Sequence, residues 1–276
     1  MAGLNLPLGE IVVFALAVAA SGVVSGLMAG VFGIGGGAVL VPVFYQVFGM
    51  LGVEEAVRMH LSVGSSLAII IPTSLRSFTS HRARSAVDME LLRSFYIPVP
   101  VGVVLASLTA AYISSAGLRV IFALITLLVA IRLLFNRDSW RIGSEVPGNP
   151  ARAVIGVVIG YFSTLMGVGG GVMNNTFMTL YGRPMHQAVA TSSGVGVMIA
   201  IPGTLGYIWA GWGVAGLPIA STGFVNWIAV ALIIPIALIV TPWGVRLAHA
   251  LSKRQLEIAF GLFCVFVAAR FLWSLL

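Results

Sequence analysis

The chain alternates long apolar runs with short polar ones, and the run lengths carry most of the structural information. Crossing a hydrocarbon core takes about 20 apolar residues in helical geometry. Eight runs approach or reach that length: 11–31, 61–78, 94–113, 118–135, 151–166, 188–209, 225–245 and 256–275. Two further apolar segments, 38–48 and 172–181, are too short to cross as ordinary helices, and each directly follows a cluster of glycines. Read as broken or half-length helices, they bring the expected total to ten membrane segments. The stretch 136–150, with Arg137, Asp138, Arg141, Glu145, Pro147 and Pro150, is the most polar and divides the chain almost in half. The expected organisation is a five-segment unit over 1–135, a cytoplasmic linker over 136–150 and a second five-segment unit over 151–276.

The two units repeat. A shift of about 134 positions lays Gly22, Gly26, Gly33, Gly35, Gly36 and Gly37 on Gly156, Gly160, Gly167, Gly169, Gly170 and Gly171 without a gap. Small changes of shift then bring Ser62, Gly64 and Pro72 onto Ser192, Gly194 and Pro202, Asp88 onto Asn226, Phe122 onto Phe260 and Arg132 onto Arg270. Two units with an odd number of crossings must face opposite ways, which is the inverted-repeat plan of many secondary transporters. The predicted fold class is therefore all-α: a polytopic membrane protein of about ten transmembrane segments in two inverted five-segment repeats, with short broken helices after glycine-rich breaks.

Charge sets the orientation. With the amino terminus outside, the inner loops collect Arg76, Arg82, Arg84, Arg93, Arg132, Arg137, Arg141, Arg152, Arg183, Arg246, Lys253 and Arg254. The outer side keeps Arg58, Arg119 and Arg270. The positive-inside rule favours this arrangement, with both termini on the non-cytoplasmic side of a cell (inner) membrane. The run at 11–31 lacks a basic region before it and a clear small-residue cleavage site after it, so it reads as a permanent span.

Composition supports the same class. Hydrophobic residues make up 59% of the chain and charged residues 8%, against roughly 25% charged in soluble domains. The net charge of +7 is spread over short loops, with no basic stripe interleaved with aromatics, so nucleic acid is not an expected partner. The single cysteine, Cys264, allows neither an intramolecular disulfide nor a cysteine-based zinc site and reads as a packing residue. No cofactor and no metal site is expected. A His-Glu-x-x-His set or a nucleophile–base pair is absent, so the chain does not read as an enzyme.

The glycine clusters are the strongest local signals. Each glycine lowers helix stability by about 1 kcal/mol relative to alanine, and at membrane depth a freed backbone group is tolerated only in a cavity or inside protein. A break there exposes the first N–H groups of the following short helix, which together with its dipole form an anion site. The candidate substrate-binding residues are Gly35, Gly36, Gly37, Gly169, Gly170 and Gly171, with Asn174 and Asn175 in the first turn of the second short helix. Paired amides inside an apolar segment either face a polar cavity or bond between helices. Ser65, Ser66, Ser192 and Ser193 on the equivalent long helices can touch substrate or simply pack. Arg76 is either a substrate counter-charge or an interfacial side chain that snorkels. Gly22, Gly26, Gly156 and Gly160 read as close-packing positions. Pro72 and Pro202 lie mid-span and are expected to kink both helices. All eight acids lie in loops or at helix ends, and His60, His81, His186 and His249 read as interfacial. An interior short of carboxylates and rich in N–H donors points to an anionic substrate.

On these residues the chain resembles the TauE/SafE sulfite exporter family, also called the 4-toluene sulfonate uptake permeases. The likeness runs from Ser25-Gly26 through Gly33-Ile34-Gly35-Gly36-Gly37, and from Gly160 through Gly167-Val168-Gly169-Gly170-Gly171. It continues in Ala188-Val189-Ala190-Thr191-Ser192-Ser193 and in His81-Arg82-Ala83-Arg84 through Val87-Asp88, and it covers essentially the whole chain. The resemblance implies transport of a small sulfur-containing anion: sulfite, sulfoacetate or another organosulfonate. The expected partners are that small anionic substrate and the lipid bilayer, with a homodimer as one admissible assembly. An anion channel, a carboxylate permease, and an assembly or sensor subunit stay open as alternatives.

Overall fold

The computed structural model describes residues 8–32, 36–135 and 141–273, with side chains from Ala19 onward other than that of Lys253. Among the described residues the regular structure is helical apart from one small hairpin. Its helices are α1 (Leu8–Phe32), α2 (Gly37–Met50), α3 (Glu55–Arg82), α4 (Met89–Ser94), α5 (Pro98–Ala110) and α6 (Ser115–Leu134), followed by α7 (Ala151–Met166), α8 (Gly171–Leu180), α9 (Met185–Ala210), α10 (Trp227–Ala250) and α11 (Lys253–Trp273). Of these, α3, α6, α9, α10 and residues 254–273 of α11 are long and apolar enough to cross a membrane. The apolar helices α2, α5 and α7 are shorter. The run expected at 94–113 forms the shorter α5, which Pro98 opens at a position where its missing N–H costs nothing. Strands β1 (Ser221–Thr222) and β2 (Val225–Asn226) form an antiparallel ladder that apolar run length did not predict.

Small residues decide how the helices meet. An added Cβ on Gly26 would lie 2.6 Å from the Ala237 carbonyl, and one on Gly30 would lie 2.3 Å from that of Thr241, so α1 and α10 run parallel with their backbones in contact. α5 and α7 pair in the same sense, with a Gly160 Cβ falling 2.2 Å from Val99 O and a Gly102 Cβ 2.1 Å from Val157 O. These are the close-packing roles read from the sequence for Gly26 and Gly160. In the centre α3 and α9 cross antiparallel: Gly196 abuts Ser74, Gly203 faces Leu67, and Gly64 faces Tyr207. α6 and α11 are also antiparallel, with Phe122 against Phe271 at 4.9 Å and Gly261 against Leu134. Both prolines lie inside continuous helices, Pro72 in α3 and Pro202 in α9.

The ends are fixed by paired devices. Asp88 accepts the Leu91 N–H at 3.0 Å and caps α4, and Asn226 accepts the Ala229 N–H at 3.0 Å and caps α10. Each cap residue also donates its own N–H to a hydroxyl of a long central helix, Asp88 to Thr191 and Asn226 to Ser65, both at 2.9 Å. His60 meets the carbonyls of Ala110 and Ile113 at 3.0 and 2.9 Å, and His186 meets those of Ala248 and Leu251 at 3.0 and 3.2 Å. These contacts satisfy last-turn carbonyls that a helix cannot pair internally.

Several polar side chains lie deeper than expected. His60 and His81 are buried rather than interfacial, because carbonyls left over at helix ends take up their ring N–H groups. Arg132, counted from the sequence among the inner-loop cations, is buried on α6, its charge facing the buried Glu257 of α11. Arg119 is buried as well, paired with Glu55 and lying over the Tyr45 ring. Cys264 is fully buried, as a packing residue would be.

Candidate functional site

The two glycine clusters interrupt the chain in the same way. α7 ends at Met166 with Gly167 at φ 65; the Val168 N–H reaches Ser163 O and the Gly167 N–H reaches Thr164 O, both at 3.0 Å, so these two bonds close the helix in a Schellman turn. Gly170, at φ 75, then starts α8 and accepts the Asn174 N–H at 2.8 Å. On the other side α1 ends at Phe32, and Gly36 at φ 83 starts α2, its carbonyl accepting the N–H groups of Val39 and Leu40 at 3.0 and 3.1 Å. A left-handed residue at each start is the conformation glycine adopts without steric cost. Gly35, with Gly33 and Ile34, lies outside the described residues. By helix geometry the first amides, those of Gly37 and Ala38 in α2 and of Gly171 and Val172 in α8, have no acceptor within their own helix, and no side chain caps either start.

The breaks touch. A Cβ on Gly37 would fall 2.2 Å from Gly167 O and 3.0 Å from Val168 Cα, so the start of α2 lies directly on the end of α7. Ser66 of α3 donates to the same Gly167 carbonyl at 2.9 Å. Gly36 is pressed onto α1, where its Cβ would meet Ser25 Oγ at 2.1 Å. A Cβ on Gly196 of α9 would meet Ser74 Oγ at 2.6 Å and Gly169 O at 2.7 Å. The central pair α3 and α9 thus clamps both interruptions.

A polar chain crosses this region. Asn174 Nδ2 donates to Ser192 Oγ at 2.7 Å, and Ser192 donates to Asn175 Oδ1 at 2.7 Å. Asn175 Nδ2 donates to the carbonyl of Phe32, the last residue of α1, at 2.9 Å. The amides therefore bond between helices and also join the second break to the first. Around the breaks, Ser25 Oγ, Ser74 Oγ and Asn174 Oδ1 are buried without a hydrogen-bond partner, as is Ser163 Oγ in the last turn of α7. A buried polar atom left unpaired costs about 1–3 kcal/mol, which makes these atoms the candidates for further polar contacts in this region.

The other candidates divide. Ser65 accepts the Asn226 N–H at 2.9 Å, and Ser193 donates to Ala190 O at 2.5 Å; both hydroxyls are engaged in the fold. Arg76 is exposed on α3 and does not join the buried cluster. Sequence reasoning left out Ser25 and Ser74. Ser25 falls opposite Ile159 at the 134-residue shift, so the repeat gave no hint of it. A cavity of about 420 Å³ opens at the His60 end of α3, lined by Ala56, Val57, His60, Tyr112, Ser115 and Phe224, among others.

The family model described as "Sulfite exporter TauE/SafE" matches residues 18–271. The chain is similar to a "Probable membrane transporter protein" of Haemophilus influenzae, 26% identical over 247 residues that cover 90% of this chain and 94% of that protein. It is also similar to a probable membrane transporter protein of Methanocaldococcus jannaschii, 26% identical over 239 residues (86% of this chain, 87% of the relative). The probable membrane transporter protein YunE of Bacillus subtilis is 24% identical over 254 residues, covering 85% of this chain and 87% of that protein. No solved structure matches the chain.

Proposed function

Because the chain belongs to the sulfite exporter TauE/SafE family and is a membrane transporter, we propose that it carries a small sulfur-containing anion, sulfite, sulfoacetate or another organosulfonate, by alternating access. The anion binds between the two breaks. The leading amides of α2 and α8 hold its oxygens, and Ser25, Ser74 and Asn174 supply the polar contacts that are unmet without it. The observation that carries this reading is the contact of the αL-started α2 with the end of α7 at the second break, beside three unpartnered buried polar atoms. A tetrahedral or pyramidal oxyanion suits the N–H donors of helix starts, and no carboxylate is needed to receive it.

The architecture we propose for this cycle is the ten-segment inverted repeat. Its support is the helix pairing: α1 on α10 as α7 on α5, with α3 crossing α9 and α6 crossing α11 antiparallel. Orientation follows the basic residues, with both termini on the non-cytoplasmic side of the cell membrane. In the described state the breaks are closed on each other, and the cavity at the His60 end gives the anion its way in. Rocking of α1–α2 and α7–α8 on the α3–α9 pair then opens the site to the other end.

Uptake into proteoliposomes tests the substrate class. Sulfite and sulfoacetate uptake is expected to saturate and to exceed that of acetate and malonate at least ten-fold. Equal handling of sulfonates and carboxylates rules out sulfur selectivity, and uptake that rises linearly without saturation rules out a carrier.

A further inference from the structure

Three of the four histidines converge at one end of the molecule, although they come from three helices and both halves of the chain. His249 Nε2 lies 3.3 Å from His81 Nδ1, and the His186 ring stacks on that of His249 at 6.0 Å. Burial is graded: His249 is exposed, His186 half-buried and His81 fully buried. At the buried end, His81 Nε2 lies 3.3 Å from the carbonyl of Gly30 on α1. That carbonyl is two residues before Phe32, where α1 stops and the first break begins. The Ser77 hydroxyl of α3 also donates to Ala29 O at 3.2 Å, so this end of α3 grips the last turn of α1.

We propose that His81, His249 and His186 form the transporter's proton site, through which one proton is carried with each anion. This rests on the anion transport proposed above and names its coupling ion. The bonding partners assign the tautomers. The Gly30 carbonyl fixes a proton on His81 Nε2, which leaves His81 Nδ1 bare as an acceptor, and His249 Nε2–H donates to it. His186 is held with its proton on Nε2 by two carbonyls. The bare nitrogen of His249 is then Nδ1, at the exposed side. A proton arriving there makes His249 a cation and turns its bond to His81 into a charge-assisted one. Transfer of the Nε2 proton across that bond breaks one N–H and forms another: His249 is left neutral with its proton on Nδ1, and His81 carries the charge, bonded to Gly30 O beside the break. A second proton would set two donors face to face across 3.3 Å and part α3 from α10. The pair therefore holds one proton.

The surroundings tie that proton to the anion. Arg84, in the loop after α3, acts electrostatically on both His81 and His249. Arg82 adjoins His81 on α3, Arg246 lies one turn before His249 on α10, Arg183 precedes α9, and the last turn of α1 carries no basic residue. No carboxylate acts on either ring among the described residues. A proton on His81 is thus opposed by cations until a negative charge sits in the break, and by reciprocity the proton tightens the anion.

Proteoliposomes clamped at zero voltage test this with wild type and H249Q, the exposed position where a fold defect is least expected. With sulfite as the probe, wild type should accumulate anion when the outside is acid and acidify the lumen, seen with trapped pyranine. H249Q should keep sulfite–sulfite exchange within two-fold while losing at least ten-fold of the pH-driven accumulation. Accumulation by wild type that ignores the pH gradient, or by H249Q that still follows it, overturns the proton site. Exchange absent from wild type would overturn the anion reading instead. Independently of any anion, histidine NMR in micelles should show the His81 titration midpoint moving by more than half a pH unit in H249Q. An unmoved midpoint also overturns the proposal.

Discussion

The two breaks share a backbone and differ in their side chains. Both short helices start from a left-handed glycine, Gly36 at φ 83 and Gly170 at φ 75. α8 then carries Asn174 and Asn175, where the corresponding positions of α2 are Leu40 and Val41, and all four are buried. The amides of α8 reach Ser192 on α9 and the end of α1, whereas Leu40 and Val41 fill two separate apolar clusters. A device that depends only on glycine and helix geometry is found in both halves. One that depends on particular side chains is found in one half, and that half tethers the other through Asn175.

The largest way to break this comparison is at the shared backbone. Gly37→Ala places a methyl group 2.2 Å from the Gly167 carbonyl, a backbone atom that cannot swing aside as a side-chain end can. Overpacking of this kind costs about 1–3 kcal/mol, and the breaks must separate to accept it. Sulfite uptake by G37A should fall more than twenty-fold while the protein still inserts and purifies. Gly182→Ala is the control. Its φ of 74 gives it a left-handed backbone that Gly37 lacks, so alanine there is strained in conformation, but a Cβ meets nothing within 4 Å. Transport by G182A should stay within two-fold. If both variants transport alike, contact between the breaks is irrelevant.

A smaller effect tests the asymmetry. Asn175→Val gives the second half the residue of the first, Val41. It strips the Phe32 carbonyl and the Ser192 hydroxyl of their buried partner, at about 1–3 kcal/mol. The melting temperature should drop by several degrees and sulfite uptake by about ten-fold. Unchanged melting and uptake would mean that the Asn175 tether does not couple the two breaks.

The line between what was legible and what was not follows the same division. Glycine clusters and apolar run lengths act through local backbone geometry, so a linear reading reaches them: the short segments expected at 38–48 and 172–181 are α2 at Gly37–Met50 and α8 at Gly171–Leu180. Ser25, Ser74 and the histidine cluster become meaningful only when distant helices are brought together. His81 and His249 are 168 positions apart, and nothing in the local composition of either marks the other. Arg132 escaped for a related reason. Its place near a helix end fits the interface, and only the packing of α6 on α11 puts Glu257 beside it. The β1–β2 hairpin was hidden because its turn, at Gly223 with φ 53, lies just before an apolar run that continues into α10.

The smallest expected effect has the opposite sign in stability and function. Ser74 Oγ is fully buried on α3, beside Gly169 and Gly196, with no partner. Most polar deletions in a core remove a bond, but Ser74→Ala removes an unmet need for one, so the melting temperature should hold or rise by one or two degrees. If the hydroxyl is kept for the anion, the same variant should raise the apparent KM for sulfite three- to ten-fold, the loss of about one hydrogen bond to a charged group, and leave maximal uptake nearly unchanged. Ser66→Ala supplies the contrast. Its hydroxyl is already spent on Gly167 O, so that change should lower stability by about 1 kcal/mol and leave KM alone. Should S74A melt lower, with KM unmoved, the hydroxyl serves the fold and the anion does not touch it.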